Sequence, residues 1–440
     1  MSGSYYLRSF GCQMNEHDAE RIRALLEAEG LQRVDEPDDA DVLVYNTCTV
    51  RKSADDRLAG HLGTAARLKR ERPSRVVLVT GCLPQAERDG FFARFPFVDG
   101  ALGPQNLHRL VELLEAAVER GGEAPAGYFE DGPHFSGDLE GRRERPYQAW
   151  VQVMSGCTNF CTYCIVPYVR GPERSRAADD ILAEVEGLVA DGVREVTLLG
   201  QNVNAYGLDR RRGGEAGAPG FAGLLRRLDG VAGLDRVRFM TSHPKDLGDD
   251  LVAAVAELPS VCEHVHLPAQ AGSDRILRAM RRGYTAAAYL DRVRALRSGV
   301  PGISITTDLI AGFPGESDED FERTVELVRE AAFDAAYTFV YSPRPGTKAA
   351  DLPDQVPRDV RRERVERLIE LTQQQALASR QAWVGRSAEI LVEGPSRDGG
   401  MWRGRTRQNV TVNVAGAVEP GAIVTVEITA ATSTTLRATV

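Results

Sequence analysis

No stretch of this chain is apolar for long enough to cross a bilayer, which takes about 20 consecutive apolar residues. No membrane segment is therefore expected. The opening residues MSGSYYLRSFGC carry no apolar h-region, so no export signal is expected and the cytoplasm is the default location. Lysine is nearly missing. It stands only at positions 52, 69, 245 and 348, and arginine supplies almost all of the positive charge. The net charge is −9. That argues against a protein that coats nucleic acid by bulk charge, but it leaves room for a local basic surface. Cysteine is sparse too, with seven in 440 residues. In a large chain without a secretion signal, so few thiols point to metal or catalytic use, not to a disulfide framework. Hydrophobic content of 42% and charged content of 27% are ordinary for a globular protein with a sizeable core. The length allows two to four domains.

What cysteine there is, is clustered. Cys157, Cys161 and Cys164 fall within eight residues in a C-x-x-x-C-x-x-C pattern. Structural zinc takes four closed ligands, and no fourth Cys or His lies nearby. Iron–sulfur clusters are held by thiolates, usually four. A cluster with three cysteines keeps one iron open for another ligand, and that suits chemistry. Tyr163, just before the last cysteine, could pack beside a bound ligand. On spacing alone, a partial zinc knuckle and three buried thiols remain open as alternatives.

The first third of the chain alternates strand and helix patterns. Tyr5–Phe10, Asp41–Tyr45 and Arg75–Thr80 read as strands, and Phe97–Ala101 as a fourth. Helical patterns cover Glu16–Glu29, a polar stretch after Tyr45, and Leu107–Glu119. This order implies an open parallel sheet with helices on both faces, an α/β domain over 1–120. Cys12, Cys48 and Cys82 each stand just past the carboxyl end of a strand. Open α/β sheets bind ligands along that edge, so these three are expected to converge as a second set. Small core thiols are the alternative. Gly11 and Gly81 allow tight turns beside them. Residues 121–143 are rich in Gly, Pro, Glu and Asp without apolar period and read as a linker, with His134 solvated.

From 144 to 374 six further β-α units suit a partial (β/α)6 barrel better than a closed eightfold one. The three-cysteine loop follows its first strand. It therefore belongs to the carboxyl end, where such folds keep their active sites. The other strand ends carry polar or glycine-rich turns: Gly200, Gln201 and Asn202; Ser242 and His243; Gln270, Gly272 and Ser273; Asp308, Gly312, Gly315 and Glu316; and Arg344. Ordinary turn chemistry explains any one of them. Together they could line a small polar ligand. His264 and His266 read as structural, and Cys262 as a buried hydrophobe. Residues 357–382 form a long charged amphipathic helix.

Residues 375–440 end in short β runs, AEILVEG, VTVNV, IVTVEIT and TLRATV, which read as a small β-barrel. Between the first two lies WRGRTRQN. There Trp402 with Arg403, Arg405 and Arg407 makes a candidate single-strand RNA surface, although strand charges in solvent would look the same.

The segments FGCQMNEHD, NTCTVRKSA, VTGC, GCTNFCTYCIVPYVRG, REVTLLGQNVN, TSHP, GSDRILRAMRRGYT, DLIAGFPGE and RPGT closely resemble the radical S-adenosylmethionine (SAM) superfamily and its methylthiotransferase family. They cover nearly the full length. Val50-Arg51 after NTC, with GPQNLHRL and PYVRG, resembles the branch acting on dimethylallyl-adenosine in tRNA. The resemblance implies an auxiliary [4Fe-4S] cluster on Cys12, Cys48 and Cys82 and a SAM-binding [4Fe-4S] cluster on Cys157, Cys161 and Cys164. It implies SAM contacts from Tyr163, Gln201, Ser242, Gln270, Ser273, Asp308 and Gly312, RNA contact from Arg51, Arg403, Arg405 and Arg407, and a C-terminal TRAM barrel. The implied reaction replaces C2–H of the base at position 37 by a methylthio group. One SAM is the methyl donor and another the source of a 5′-deoxyadenosyl radical. Implied partners are tRNA, an electron donor such as flavodoxin or ferredoxin, and a sulfur donor, with a monomeric enzyme. Two positions depart from the family: Ala271, where serine is usual, and VNVAG, where an aromatic often sits. Sister branches act on threonylcarbamoyl-adenosine of tRNA or a ribosomal-protein aspartate. A non-catalytic iron–sulfur redox sensor is the reading from another class.

Overall fold

The computed structural model describes residues 3–49, 52–121, 125–132, 134–397 and 399–440. They divide into two compact units. One comprises residues up to Glu144 with Trp150–Thr158 and Cys164–Arg176. The other comprises Arg145–Ala149, Asn159–Tyr163 and Ala177–Val440.

The first unit is built on a six-stranded sheet. Its strand order is Leu31–Arg33, Gly3–Ser9, Val42–Thr47, Val76–Gly81, Gly100–Leu102, Ala126–Tyr128. Every pairing is parallel. Val42–Thr47 and Val76–Gly81 are buried at every residue, as expected for strands covered on both faces. One face packs Leu58, Leu62 and Leu68 of helix Lys52–Glu71 against Leu43, Val77 and Val79. The other packs Ile22 and Leu26 of helix Gln13–Ala28, and Leu110, Leu113 and Leu114, against Val44 and Leu78. The expected strands are present, the fourth being shifted to Gly100–Leu102. Both edge strands went unforeseen. Ala126–Tyr128 lies inside the stretch expected to be irregular. Three residues of backbone pairing need no apolar period, so the pattern could not reveal them.

In the second unit the parallel strands form two rows. Arg236–Phe239 pairs with Glu195–Leu199. His264–His266, Ser304–Ala311 and Ala335–Val340 form the other row. One bridge, Val237 to Val261, joins the arc. Helix Arg358–Gln381 buries Val365, Leu368, Thr372 and Ala376 against this α/β body. Five strands then close a barrel: Ser387–Pro395, Trp402–Thr406, Thr411–Ala415, Thr435–Thr439 and Ile423–Ala431. The strand beyond the four expected is the Trp402 stretch itself. Arg236 and Arg238, both buried, reach this barrel from the start of their strand. Arg236 meets the Glu389 carboxylate at 2.8 Å, and Arg238 donates to the Thr406 and Arg407 carbonyls at 2.8 Å.

Candidate cluster and cofactor sites

Cys12, Cys48 and Cys82 follow three strands that are adjacent in the first sheet, Gly3–Ser9, Val42–Thr47 and Val76–Gly81. Adjacent parallel strands ending at one level put their next residues side by side. Cys12 is the N-cap of helix Gln13–Ala28, and Cys82 opens helix Cys82–Glu87. None of the seven cysteines is in a disulfide. Cys12 and Cys48 share a hydrogen bond that brings the Cys12 thiol down to about 6, and the charge of Arg170 adds to the effect. Burial pushes Cys82 the other way, although Arg170 also bonds it. Arg170 is itself buried and lies 3.7 Å from Asp18. Burial opposes its charge, but Cys82, Asp18 and Cys12 outweigh that and hold it above its usual value.

The turns beside these thiols have no spare room. A Cβ on Gly11, at φ +136°, would overlap Cys48 Cβ and Asn15 Oδ1; one on Gly81, at φ +101°, would overlap the Thr47 carbonyl oxygen. Asn15 locks the same turn, donating to the Thr47 carbonyl at 3.0 Å. Among the described residues no three His, Cys, Asp or Glu side chains crowd one metal ion. A four-iron cluster instead takes thiolates on different irons. Three soft donors beside a fixed cation suit an anionic cluster of that kind.

Cys157, Cys161 and Cys164 follow strand Met154–Ser155. In the first unit, Cys157 N–H donates to the Gly171 carbonyl at 3.1 Å. Gly156, at φ +80°, abuts the Pro172 carbonyl so closely that a Cβ would overlap it. In the second unit Cys161 is buried and accepts from Arg282 Nη1 at 3.4 Å.

The carboxyl ends of the second unit's strands hold buried polar atoms without a hydrogen-bond partner among the described residues: Asn202 Oδ1, Ser242 Oγ and His243 Nε2. Leaving such groups unpaired costs about 1–3 kcal/mol each. A polar ligand such as SAM would satisfy them. Burial holds His243 neutral, far below its usual value, and Arg282 and Lys245 add to this. Thr241 and Gln270 sit at positive φ, +69° and +66°, strain that a site tends to store.

The other expected ligand contacts divide. Asp308 lies 3.5 Å from His266 Nε2, and Tyr163 packs on the Ala271–Phe313 cluster. Ser273 Oγ is taken by Asp320 at 2.5 Å. Gly312 N–H donates to Glu316 Oε1 at 2.9 Å, and its φ is +76°. Gln201 is half-buried beside Asn202. The expected RNA arginines are engaged as well. Arg403 and Arg405 both bind the buried Glu393 carboxylate, at 2.8 and 2.7 Å, and Arg407 binds Glu263 at 2.8 Å. Arg51 lies outside the described residues. The arginines at 170 and 282 went unassigned in the sequence. Single residues in PYVRG and RRGYT have no periodicity to mark them.

Three family descriptions match the chain: the UPF0004 family, described as uncharacterized, over residues 4–103, the radical SAM superfamily over 151–328 and the TRAM domain over 381–440. A tRNA-2-methylthio-N6-dimethylallyladenosine synthase of Carboxydothermus hydrogenoformans is 47% identical over 430 residues, covering 97% of this chain and 96% of its own length. The chain belongs to that synthase family. Another family member, from Acidothermus cellulolyticus, is 49% identical over 434 residues, with 97% and 86% covered. This synthase-family chain is thus a radical SAM enzyme, and membership implies a four-iron cluster and SAM. Among solved structures, the radical SAM methyltransferase TsrM of Kitasatospora setae matches with a TM-score of 0.54 at 14% identity, over 79% of this chain and 75% of its own. That likeness is one of fold. No described helix is long and apolar enough to cross a membrane.

Proposed function

We propose that this chain methylthiolates C2 of N6-dimethylallyladenosine at position 37 of tRNA, and that it carries two [4Fe-4S] clusters, one on each cysteine set. The observation that carries this reading is the second set of thiols, Cys12, Cys48 and Cys82, at the ends of three adjacent strands. A single radical SAM site would not need it. C2–H of the base is an unactivated aromatic bond, and no acid–base pair can ionise it. When bound, the clusters and SAM supply hydrogen-atom abstraction and a methylated sulfur, chemistry that side chains lack.

The chain's own residues hold and shape. Cys157, Cys161 and Cys164 would take the SAM-binding cluster. Asn202, Ser242 and His243 offer SAM the buried polar atoms described above, with Gln201, Gln270 and Asp308 beside them. Gly11, Gly81 and Asn15 fix the loops of the other thiols. The functional domains are taken as 1–120, 144–374 and 375–440, with 121–143 between the first two. The C-terminal barrel would contact tRNA through the parts of Arg403, Arg405 and Arg407 left exposed, which are 33%, 28% and 20% of each side chain. Arg51 would add a contact. The enzyme would work as a cytoplasmic monomer with a flavodoxin or ferredoxin donor and a separate sulfur donor.

The test is anaerobic reconstitution followed by nucleoside mass spectrometry. About eight irons per chain are expected for two four-iron clusters. Cys82→Ala should still cleave SAM yet form no methylthio nucleoside. Normal product from that variant, or product only on threonylcarbamoyl-adenosine or a ribosomal-protein aspartate, would overturn the assignment.

A further inference from the structure

Arg282 follows helix Asp274–Ala279 in the second unit and is 5% exposed. Its guanidinium is held on three sides. Nη2 donates to the Pro268 carbonyl at 3.0 Å, Nε to the Tyr284 hydroxyl at 2.9 Å, and Nη1 to Cys161 Sγ at 3.4 Å. Tyr284 is fixed in turn, donating to the Ala269 carbonyl at 2.9 Å, with its ring 5.3 Å from the guanidinium carbon.

None of these partners is a carboxylate. Burial opposes the charge, and the groups that favour it are the Tyr163 and Tyr284 phenols and the Cys161 thiol. Three other buried arginines of this unit meet an acid, Arg236 with Glu389, Arg238 with Glu195 and Arg364 with Glu316, while Arg380 donates to the Asp334 and Ala376 carbonyls. A guanidinium does not deprotonate in a protein. A buried charge without a counter-charge costs several kcal/mol. Among the three groups that hold its fork, only Cys161 can carry a ligand that brings negative charge.

We propose that Arg282 is the fixed counter-charge of the iron–sulfur cluster bound by Cys157, Cys161 and Cys164, acting through the Cys161 sulfur to raise that cluster's reduction potential. This rests on the reading that those cysteines bind a cluster. Arg282 is a positioning residue. One-electron reduction adds negative charge, and a cation donating a hydrogen bond to a ligand sulfur stabilises the reduced state more than the oxidised one. Tyr284 and the Pro268 carbonyl hold the fork in place, so the stabilisation needs no rearrangement when the electron arrives.

The test uses the full chain with Cys12, Cys48 and Cys82 all changed to Ala, reconstituted anaerobically with iron and sulfide. Arg282, Arg282→Lys and Arg282→Met are compared. Iron content is measured, and the midpoint potential is read by dithionite titration followed by electron paramagnetic resonance. Arg282→Met should lower the potential, and Arg282→Lys, which keeps the charge without the fork, should lower it less. Arg282→Lys carries the test alone if the methionine variant does not fold. Equal iron with unchanged potential in the folded variants overturns the proposal. If the Arg282 parent takes up no iron, the cluster reading itself fails.

Discussion

At Gly81 two demands meet in one residue. Its φ of +101° is a conformation that side chains rarely adopt, and the Thr47 carbonyl fills the place of a Cβ. Gly81→Ala should therefore displace Cys82 while Cys157, Cys161 and Cys164 keep their places. Iron per chain is expected to fall by about half, the share of one of two four-iron clusters. Unchanged iron content would show that the turn has slack. Glu393 is the second decisive residue. It sits in the bulge of strand Ser387–Pro395, its side chain 2% exposed, between Arg403 and Arg405. Burial opposes its ionisation, but Arg405, Arg145 and Arg403 outweigh that and hold it below its ordinary value. A depressed carboxyl stabilises the fold above its unfolded pKa, about 4.3 for glutamate. That stability is lost as pH falls through the folded value. Thermal melts should show this acid loss in the parent and less of it in Glu393→Gln. At pH 7, Glu393→Ala should cost about 1.5–3 kcal/mol, the usual worth of hydrogen bonds to a charged group.

Among the elements, helix Arg358–Gln381 shapes the loop after strand Ser304–Ala311. Arg364 meets Glu316 at 2.7 Å, and Glu316 in turn accepts from Gly312 N–H. A Cβ on Gly312 would overlap Arg361 Cγ on the same helix. Gly312→Ala is expected to destabilise the fold by about 1–3 kcal/mol through crowding and backbone strain. SAM binding by equilibrium dialysis should weaken with it. The strand Trp402–Thr406 and the turn after it serve two ends. Arg407 is anchored by Glu263 and by the Pro259 and Val261 carbonyls, at 2.9 and 2.7 Å. Arg403 is the more exposed. Arg407→Ala should lower the melting temperature more than it weakens tRNA binding. Arg403→Ala should weaken tRNA binding and reduce its salt dependence by about one phosphate contact. Equal effects on both readouts for both variants would refute this division of labour.

For the molecule as a whole, the sequence by itself determined the order of domains, the parallel sheets and the two cysteine sets. Strand cores such as residues 42–45 and 76–79, buried on both faces, must be apolar, and thiol spacing within one loop is written along the chain. The same holds for the placement of Cys12, Cys48 and Cys82 at strand ends, because alternating strands and helices leave few other topologies. Strand adjacency in space was decided by the tertiary structure. Gly3–Ser9, Val42–Thr47 and Val76–Gly81 had to be neighbours for the three thiols to meet. The partners of charge were decided there too. Arg403, Arg405 and Arg407 read as a free basic strip along the sequence, yet they fold onto Glu393 and Glu263, up to 144 residues away. Arg282 reads as one cation among many, and only packing removes it from water and sets it against Cys161. Local pattern encodes what neighbours along the chain must do. Desolvation and long-range ion pairing depend on which distant groups arrive, and no local period carries that information.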